Sequence, residues 1–362
     1  MTDRSGFFAC PTPHARQKLD ILGRYSGAWA SILGRGAAGR VPTLNTVETH
    51  AGRGQYETGD PGSPLVTLRA LDRVVAGAHA PLRANVHLVE LDTANAAMLR
   101  RVVAETKWNP SIRIQLYSGD AREVLPGILA GIDPIEPAFF FVDPFGYSDL
   151  SFRQLMEVLR HGERHELMLT FMSQFIFRFL ADPTKRDVQE DLLGPYGEWR
   201  QWVGVPGAEL QVIDHFCDRV ERAGLRCIGR QPLAHVIELA AVARHRPYVL
   251  LHISQHPKAR ITMEEAVHRS GAASGATRRL FNETAADDTI LQALASAALA
   301  SPARDVAAAV WHRTRHLSWL QDIRVALKRL HAAGQIEVTR AGRPLGHRVS
   351  YAKDTDMVKL LR

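Results

Sequence analysis

Phe139-Phe140-Phe141-Val142-Asp143-Pro144-Phe145-Gly146-Tyr147 joins an unbroken apolar run to Asp-Pro-aromatic. A strand buried on both faces needs such a run, and proline, which has no N–H to donate, ends its ladder. Asp143 is therefore expected at the C-terminal end of a parallel strand, the edge at which open α/β sheets bind ligands. Its carboxylate and the Pro144 carbonyl present two acceptors about one amino group apart. Together they can hold an exocyclic amine while Phe145 or Tyr147 stacks on the ring that carries it. A plain strand ending in a proline turn explains the same residues, so the upstream sequence has to separate the two readings.

Three further stretches end in the same way. Leu44 to Glu48 reads as a short strand ending in an acid, followed by Thr49-His50-Ala51-Gly52-Arg53-Gly54. Glycine there lets backbone pass close to a ligand, although Gly-x-Gly is only part of the three-glycine dinucleotide fingerprint. Asn85 to Leu91 forms a second strand whose Glu90 can accept both hydroxyls of a ribose. Ile112 to Asp120 forms a third, and an acid at that edge can accept from an adenine amine. Helical patterns over 64–78 and 93–105 separate the first three strands. Four successive strand ends bearing Glu48, Glu90, Asp120 and Asp143 predict a nucleoside-binding α/β sheet.

This order resembles class I S-adenosylmethionine-dependent methyltransferases. Thr49-His50-Ala51-Gly52-Arg53-Gly54-Gln55-Tyr56 is similar to the cofactor loop of bacterial 23S rRNA adenine N6-methyltransferases. Over about 14–270 the chain resembles the three-Cys-motif partner family, through Lys18-Leu19-Asp20-Ile21-Leu22, Gly59-Asp60-Pro61-Gly62-Ser63-Pro64-Leu65, Val142 to Tyr147, Phe171-Met172 and His256-Pro257-Lys258. Arg53 departs from that family's Phe-Ala-Gly-Pro-Gly pattern. The Asp143-Pro144-Phe145-Gly146 tetrapeptide resembles that of tRNA guanine N2-dimethyltransferases.

The resemblance implies a class I Rossmann-like methyltransferase sheet, S-adenosylmethionine as cofactor, and a cofactor site drawn from Lys18, Glu48, His50, Gly52, Gly54, Glu90 and Asp120. It implies that Asp143 and Pro144 hold an amine and that Phe145 or Tyr147 stacks on the base. Lys18 would meet either the methionine carboxylate or a catalytic acid, or stay on the surface. Two other functions remain open: a non-catalytic partner that recruits substrate for a three-Cys-motif, radical-type enzyme, and a methyltransferase of small-molecule amines.

The 362 residues, 46% hydrophobic and 23% charged, are enough for two globular domains. Cys10, Cys217 and Cys227 have neither zinc nor iron–sulfur spacing, so they read as buried or incidental thiols and no metal is expected. No apolar run of about 18 residues and no signal peptide appear, which points to a cytoplasmic protein without a membrane partner. A net charge of +7 and a pI near 9.5 favour an anionic partner, RNA or DNA.

Domain boundaries follow composition. Residues 1–43 form an N-terminal segment whose helix, with Leu19, Leu22, Tyr25 and Trp29 at helical spacing, packs on the catalytic domain of 44–269. A mostly helical insertion over about 173–221 holds Tyr196, Trp199 and Trp202, which either stack on substrate or fill a core. A closing antiparallel hairpin is expected over 234–242 and 246–254. Residues 270–288, rich in Gly, Ala and Ser, read as a linker. Residues 289–362 suggest a winged helix: three helices ending at Gly334, then a basic hairpin over 336–339 and 348–351. Arg324, Lys328, Arg340, Arg343 and Arg348 are its candidate nucleic-acid contacts, and protein docking is the other use of such a module.

Overall fold

A computed structural model of the chain describes residues 8–35, 41–144, 151–225, 234–237, 248–270, 283–296, 300–313, 323–345 and 356–361. Strands and helices alternate from the start: α1 (Pro13–Leu33), β1 (Thr43–Glu48), α2 (Ser63–Ala76), β2 (Arg83–Glu90), α3 (Thr93–Ala104), β3 (Ile112–Ser118), α4 (Ala121–Ala130), β4 (Ala138–Val142), α5 (Phe152–His161) and β5 (His165–Phe171). Four helices follow, α6 (Ser173–Arg178), α7 (Arg186–Leu193), α8 (Tyr196–Trp199) and α9 (Glu209–Glu221), then β6 (Ala234–Ile237), β7 (Val249–Ser254) and α10 (Pro257–Arg269). The C-terminal unit comprises α11 (Glu283–Ala295), β8 (Ser301–Pro302), α12 (Ala303–Arg313), α13 (Arg324–Ala332), β9 (Ile336–Arg340), β10 (Arg343–Pro344) and β11 (Met357–Leu360).

Seven strands form one sheet in the order β3-β2-β1-β4-β5-β7-β6. The first five are parallel, whereas β7 runs antiparallel to both β5 and β6. β4 and β5 are buried at every position, which explains the continuous apolar run of β4. Alternation along β4 divides the core. Phe139 and Phe141 join Leu22, Tyr25 and Trp29 of α1 on one face, and Phe140 and Val142 join residues of α4, α5 and α9 on the other. Each fully buried phenylalanine contributes about 1.5–3 kcal/mol through apolar area removed from water.

The chain builds outward from β1 through β2 to β3, then crosses back to place β4 on the other side of β1. That reversal leaves a crevice beyond the carboxyl ends of β1 and β4, the ligand position of open α/β sheets. Glu48 ends one of these strands and Asp143 follows the other.

The four-helix insertion merges with the first core. Trp199 is fully buried and donates its indole N–H to the Gly194 carbonyl at 2.8 Å, so it fills a core rather than offering a stacking face. Trp202 packs edge-on against His215.

In the C-terminal unit, four short strands make an antiparallel sheet in the order β10-β9-β11-β8. Ile261 of α10 joins its core beside Ile290, Leu327 and Val338. α11 starts at Glu283, inside the stretch read from composition as linker. β8 and β11, of two and four residues, are too short to show an alternating pattern and were not anticipated. The expected strand at 348–351 lies outside the described residues, and β11 is the longer partner of β9.

Candidate active site at the sheet's switch point

α1 delivers Lys18 to the crevice. Thr12 caps the helix by accepting from Ala15 N–H, and Lys18, Ile21, Leu22, Tyr25 and Trp29 form its buried stripe. Lys18 is 9% exposed, and its Nζ donates to Asp143 Oδ2 at 2.5 Å. Nζ also lies 5.2 Å from the centroid of the Tyr248 ring. Burial, reinforced by Asp143, pushes the Tyr248 phenol well above its ordinary range. Tyr56 is raised by burial too, with Lys18 opposing and Asp143 adding to the shift. His14 meets Tyr248 edge-on at 6.4 Å, and its buried Nε2 has no hydrogen-bond partner. One ammonium, one carboxylate and two neutral phenols therefore gather where β1 and β4 diverge.

The loop after β1 is held by Glu90 at the end of β2. One oxygen accepts Gly52 N–H at 2.6 Å and the other accepts Asp92 N–H at 2.9 Å. Gly52 and Gly54 adopt φ of 63° and 79°, a region that side chains disfavour. A Cβ on Gly54 would stand 2.7 Å from Leu99 Cδ1, so this glycine is needed for packing on α3 as well as for turning the chain.

Glu48 is 4% exposed. Ser63 donates to its Oε1, whereas Oε2 is buried without a hydrogen bond. Burial pushes this carboxyl well above the usual carboxylate range; Ser63 opposes the shift, Asp143 adds to it and Lys18 offsets part of it. The result is a buried acid with one open oxygen, a site that a cation would satisfy.

Lys18, which the resemblance sets beside the methionine carboxylate or a catalytic acid, pairs with Asp143. Asp120 caps α4 by accepting Arg122 N–H at 2.8 Å, and its Oδ2 takes the Arg122 guanidinium at 2.6 Å, so an adenine amine would have to share this carboxylate. That bond, ahead of other contributions, holds Asp120 below its ordinary range. His50 bonds Thr49 Oγ1 through Nδ1 at 2.8 Å and lies close enough to Asp120 to favour its charge. Phe145 and Tyr147 lie outside the described residues, which end here at a half-buried Pro144.

In the C-terminal unit, Lys328 and Arg343 are exposed and Arg324 is half-buried. The Arg340 side chain, 35% exposed, is engaged by a carboxylate. Its Nε and a terminal nitrogen each lie 2.8 Å from an oxygen of the buried Asp356, a bidentate pair that ties β9 to the start of β11. Arg348 lies outside the described residues.

Sequence reasoning missed Tyr248, which sits in no motif, along with His14 and Ser63, whose importance comes from α1 and α2 folding over the strand ends. Tyr56 belongs to the Gly-x-Gly-x-Tyr loop and was legible there. Among the described residues no cluster of three or more metal-ligating side chains occurs, and no helix is long and apolar enough to cross a membrane. Cys10 is exposed, Cys217 is buried, and both are free thiols.

The strand order, with a parallel sheet reversing between β1 and β4 and a final antiparallel β7 beside β5, is the class I S-adenosylmethionine-dependent methyltransferase fold. The sequence matches no protein-family model and no curated protein. The resemblances to the three-Cys-motif partner family and to 23S rRNA adenine N6-methyltransferases therefore gain no support there. Similar solved structures include protein LPL1258 from Legionella pneumophila, 13% identical with a TM-score of 0.38 over 69% of this chain and 91% of that one. SAH-bound methyltransferase PaMTH1 from Podospora anserina is 14% identical with a TM-score of 0.30 over 70% and 96%. A methyltransferase from Geobacter sulfurreducens is 16% identical with a TM-score of 0.28 over 64% and 77%. At these scores none of them bears on what this chain acts upon.

Proposed function

We propose that the protein transfers the methyl group of S-adenosylmethionine to an exocyclic amine of a nucleobase in nucleic acid. The observation that carries this reading is the Lys18–Asp143 pair at the switch point, beside a buried acid and a glycine loop pinned by Glu90. The residues fit the cofactor. Glu48 Oε2 offers an unused buried acceptor to an ammonium, and each Glu90 oxygen, bonded to one amide, keeps a lone pair for a ribose hydroxyl. The positive φ of Gly52 turns the loop so that Glu90 holds its amide. When bound, the cofactor supplies a methyl carbon made electrophilic by sulfonium.

Asp143 and the Pro144 carbonyl would accept the two N–H bonds of an amine and aim its lone pair into the crevice. Lys18 fixes the orientation of the carboxylate and balances its charge. As the new N–C bond forms, the surplus proton leaves the nitrogen towards Asp143. Holding both reactants in line supplies on the order of 7 kcal/mol without a metal. Tyr56 and Tyr248, neutral phenols partly buried beside the Lys18–Asp143 pair, provide walls that would exclude water from the amine.

The C-terminal unit supports a polymeric substrate. Its order of helix, strand, two helices and three strands matches what a winged helix would have, with Lys328 on the last helix and Arg343 on β10 where a wing would lie. The test supplies labelled S-adenosylmethionine with total RNA and denatured DNA, then separates the nucleosides. Label in an N-methylated base, lost in Asp143→Asn, is the expected result. Label in neither polymer refutes the reading.

A further inference from the structure

We infer that a groove along the outer side of α1 guides the phosphodiester backbone of a single-stranded nucleic acid to the Lys18–Asp143 site. This rests on the nucleic-acid substrate proposed above and adds the path that the strand takes. The groove has a volume of about 1140 Å³ and is walled by α1, α2 and α10. Its depth follows from close helix packing: a Cβ on Gly23 would stand 2.9 Å from Val66 Cγ1, so α1 lies low against α2 and the longer side chains form rims.

Six arginines line it, Arg16, Arg24, Arg35, Arg69, Arg73 and Arg269, against three carboxylates, an excess of three positive charges. The carboxylates are used: Asp20 holds Arg24 at 2.9 Å, Asp60 holds Arg16 at 3.8 Å, and Glu265 holds Arg269 at 4.0 Å. Arg69 and Arg73 have no carboxylate partner among the described residues, although they stand one turn apart on the same face of α2. Like charges at that spacing disfavour the helix, and a bound anion reverses the sign of the effect.

The shape and chemistry fit a phosphate chain. α1 has 21 residues, so the groove runs for about 30 Å. No Phe, Tyr or Trp lines it, which removes the stacking platforms that would select bases and leaves recognition of the backbone. One end opens at Pro11, Arg16 and Asp60. The Asp60 carbonyl accepts Tyr56 N–H at 2.9 Å, and Tyr56 belongs to the wall of the candidate site. A strand in the groove would thus arrive beside Asp143. It must be single-stranded there, because an amine inside a duplex cannot reach the carboxylate.

The experiment measures binding of a fluorescent mixed-sequence single-stranded RNA to the full chain over a range of salt, for wild type, Arg69→Glu/Arg73→Glu, the milder Arg69→Gln/Arg73→Gln, and Lys328→Glu. The charge reversal should weaken binding at least about tenfold at low salt. The glutamine pair should lower the salt slope by about 1.4, two phosphates at about 0.7 each. S-adenosylhomocysteine affinity should stay as in wild type, showing an intact fold. Wild-type affinity and slope in both α2 variants overturn the groove while leaving the substrate reading intact. The same is true if only Lys328→Glu weakens binding. Failure of wild type to bind RNA or single-stranded DNA overturns both.

Discussion

Lys18 and Asp143 stand 125 residues apart in sequence and 2.5 Å apart in the structure. The pair joins the N-terminal helix to the strand end that defines the crevice, so α1 is part of the site rather than a support for it. If Asp143 holds the amine and Lys18 orients it, Asp143→Asn should lower turnover about 100-fold or more while S-adenosylhomocysteine affinity stays within a few-fold. Lys18→Met should lower kcat as well, and the double variant should be little worse than Asp143→Asn alone, because the two act as one unit. Steady-state kinetics on the methylated polymer reads all three.

Glu90→Ala should weaken S-adenosylhomocysteine by about tenfold or more, close to 1.4 kcal/mol, measured by calorimetry. The substitution removes the ribose acceptor and also frees the Gly52 and Asp92 amides that it holds. An unchanged affinity would remove Glu90 from the cofactor site.

Glu48 should show opposed effects on stability and binding. Its folded-state pKa is raised, so stability is highest below the unfolded carboxyl value of about 4.3 and falls as pH rises through the folded value. Glu48→Gln keeps an acceptor for Ser63 and cannot ionise. It should therefore raise Tm at pH 8, with the gain vanishing near pH 4, while weakening the cofactor. Cofactor binding should release a proton wherever free Glu48 is protonated, which calorimetry in two buffers detects.

His165 places a second titration in the core. It is fully buried, its Nδ1–H donates to the Val158 carbonyl at 2.9 Å, and burial lowers its pKa to about 4. A depressed histidine contributes stability that is fully present above its unfolded value of about 6.5 and is lost as pH falls through 4. The swing is on the order of 3 kcal/mol. Urea unfolding between pH 7 and 4.5 should show it, and His165→Gln should flatten the profile.

Arg340 and Arg343 separate structure from binding in the C-terminal unit. Arg340→Ala strands the buried Asp356 and should lower the unfolding temperature of that unit. Arg343→Ala, at an exposed position, should leave stability alone and weaken RNA binding.

The parallel sheet was legible above all in β4, which is buried on both faces and writes that burial as an apolar run, Phe139 to Val142. The acids at the strand ends were legible for a related reason: Glu48, Glu90 and Asp143 each interrupt such a run. What stayed hidden depends on distant contacts. Nothing around Tyr248 signals that its ring lies over Lys18. Asp120 reads as one more strand-end acid, and its bond to the Arg122 guanidinium is seen only in the fold. The Arg340–Asp356 pair was hidden because Asp356 comes 16 residues later, just ahead of a strand too short to show a pattern. The arginine groove draws on three helices and exists only once they pack.

The most direct test of the central claim is isothermal titration of the full chain with S-adenosylhomocysteine, for wild type and Glu90→Ala. The account predicts wild-type binding with a Kd of about 1–100 μM, and at least tenfold weaker binding in the variant. Absence of binding by the wild-type chain at about 1 mM ligand would contradict it.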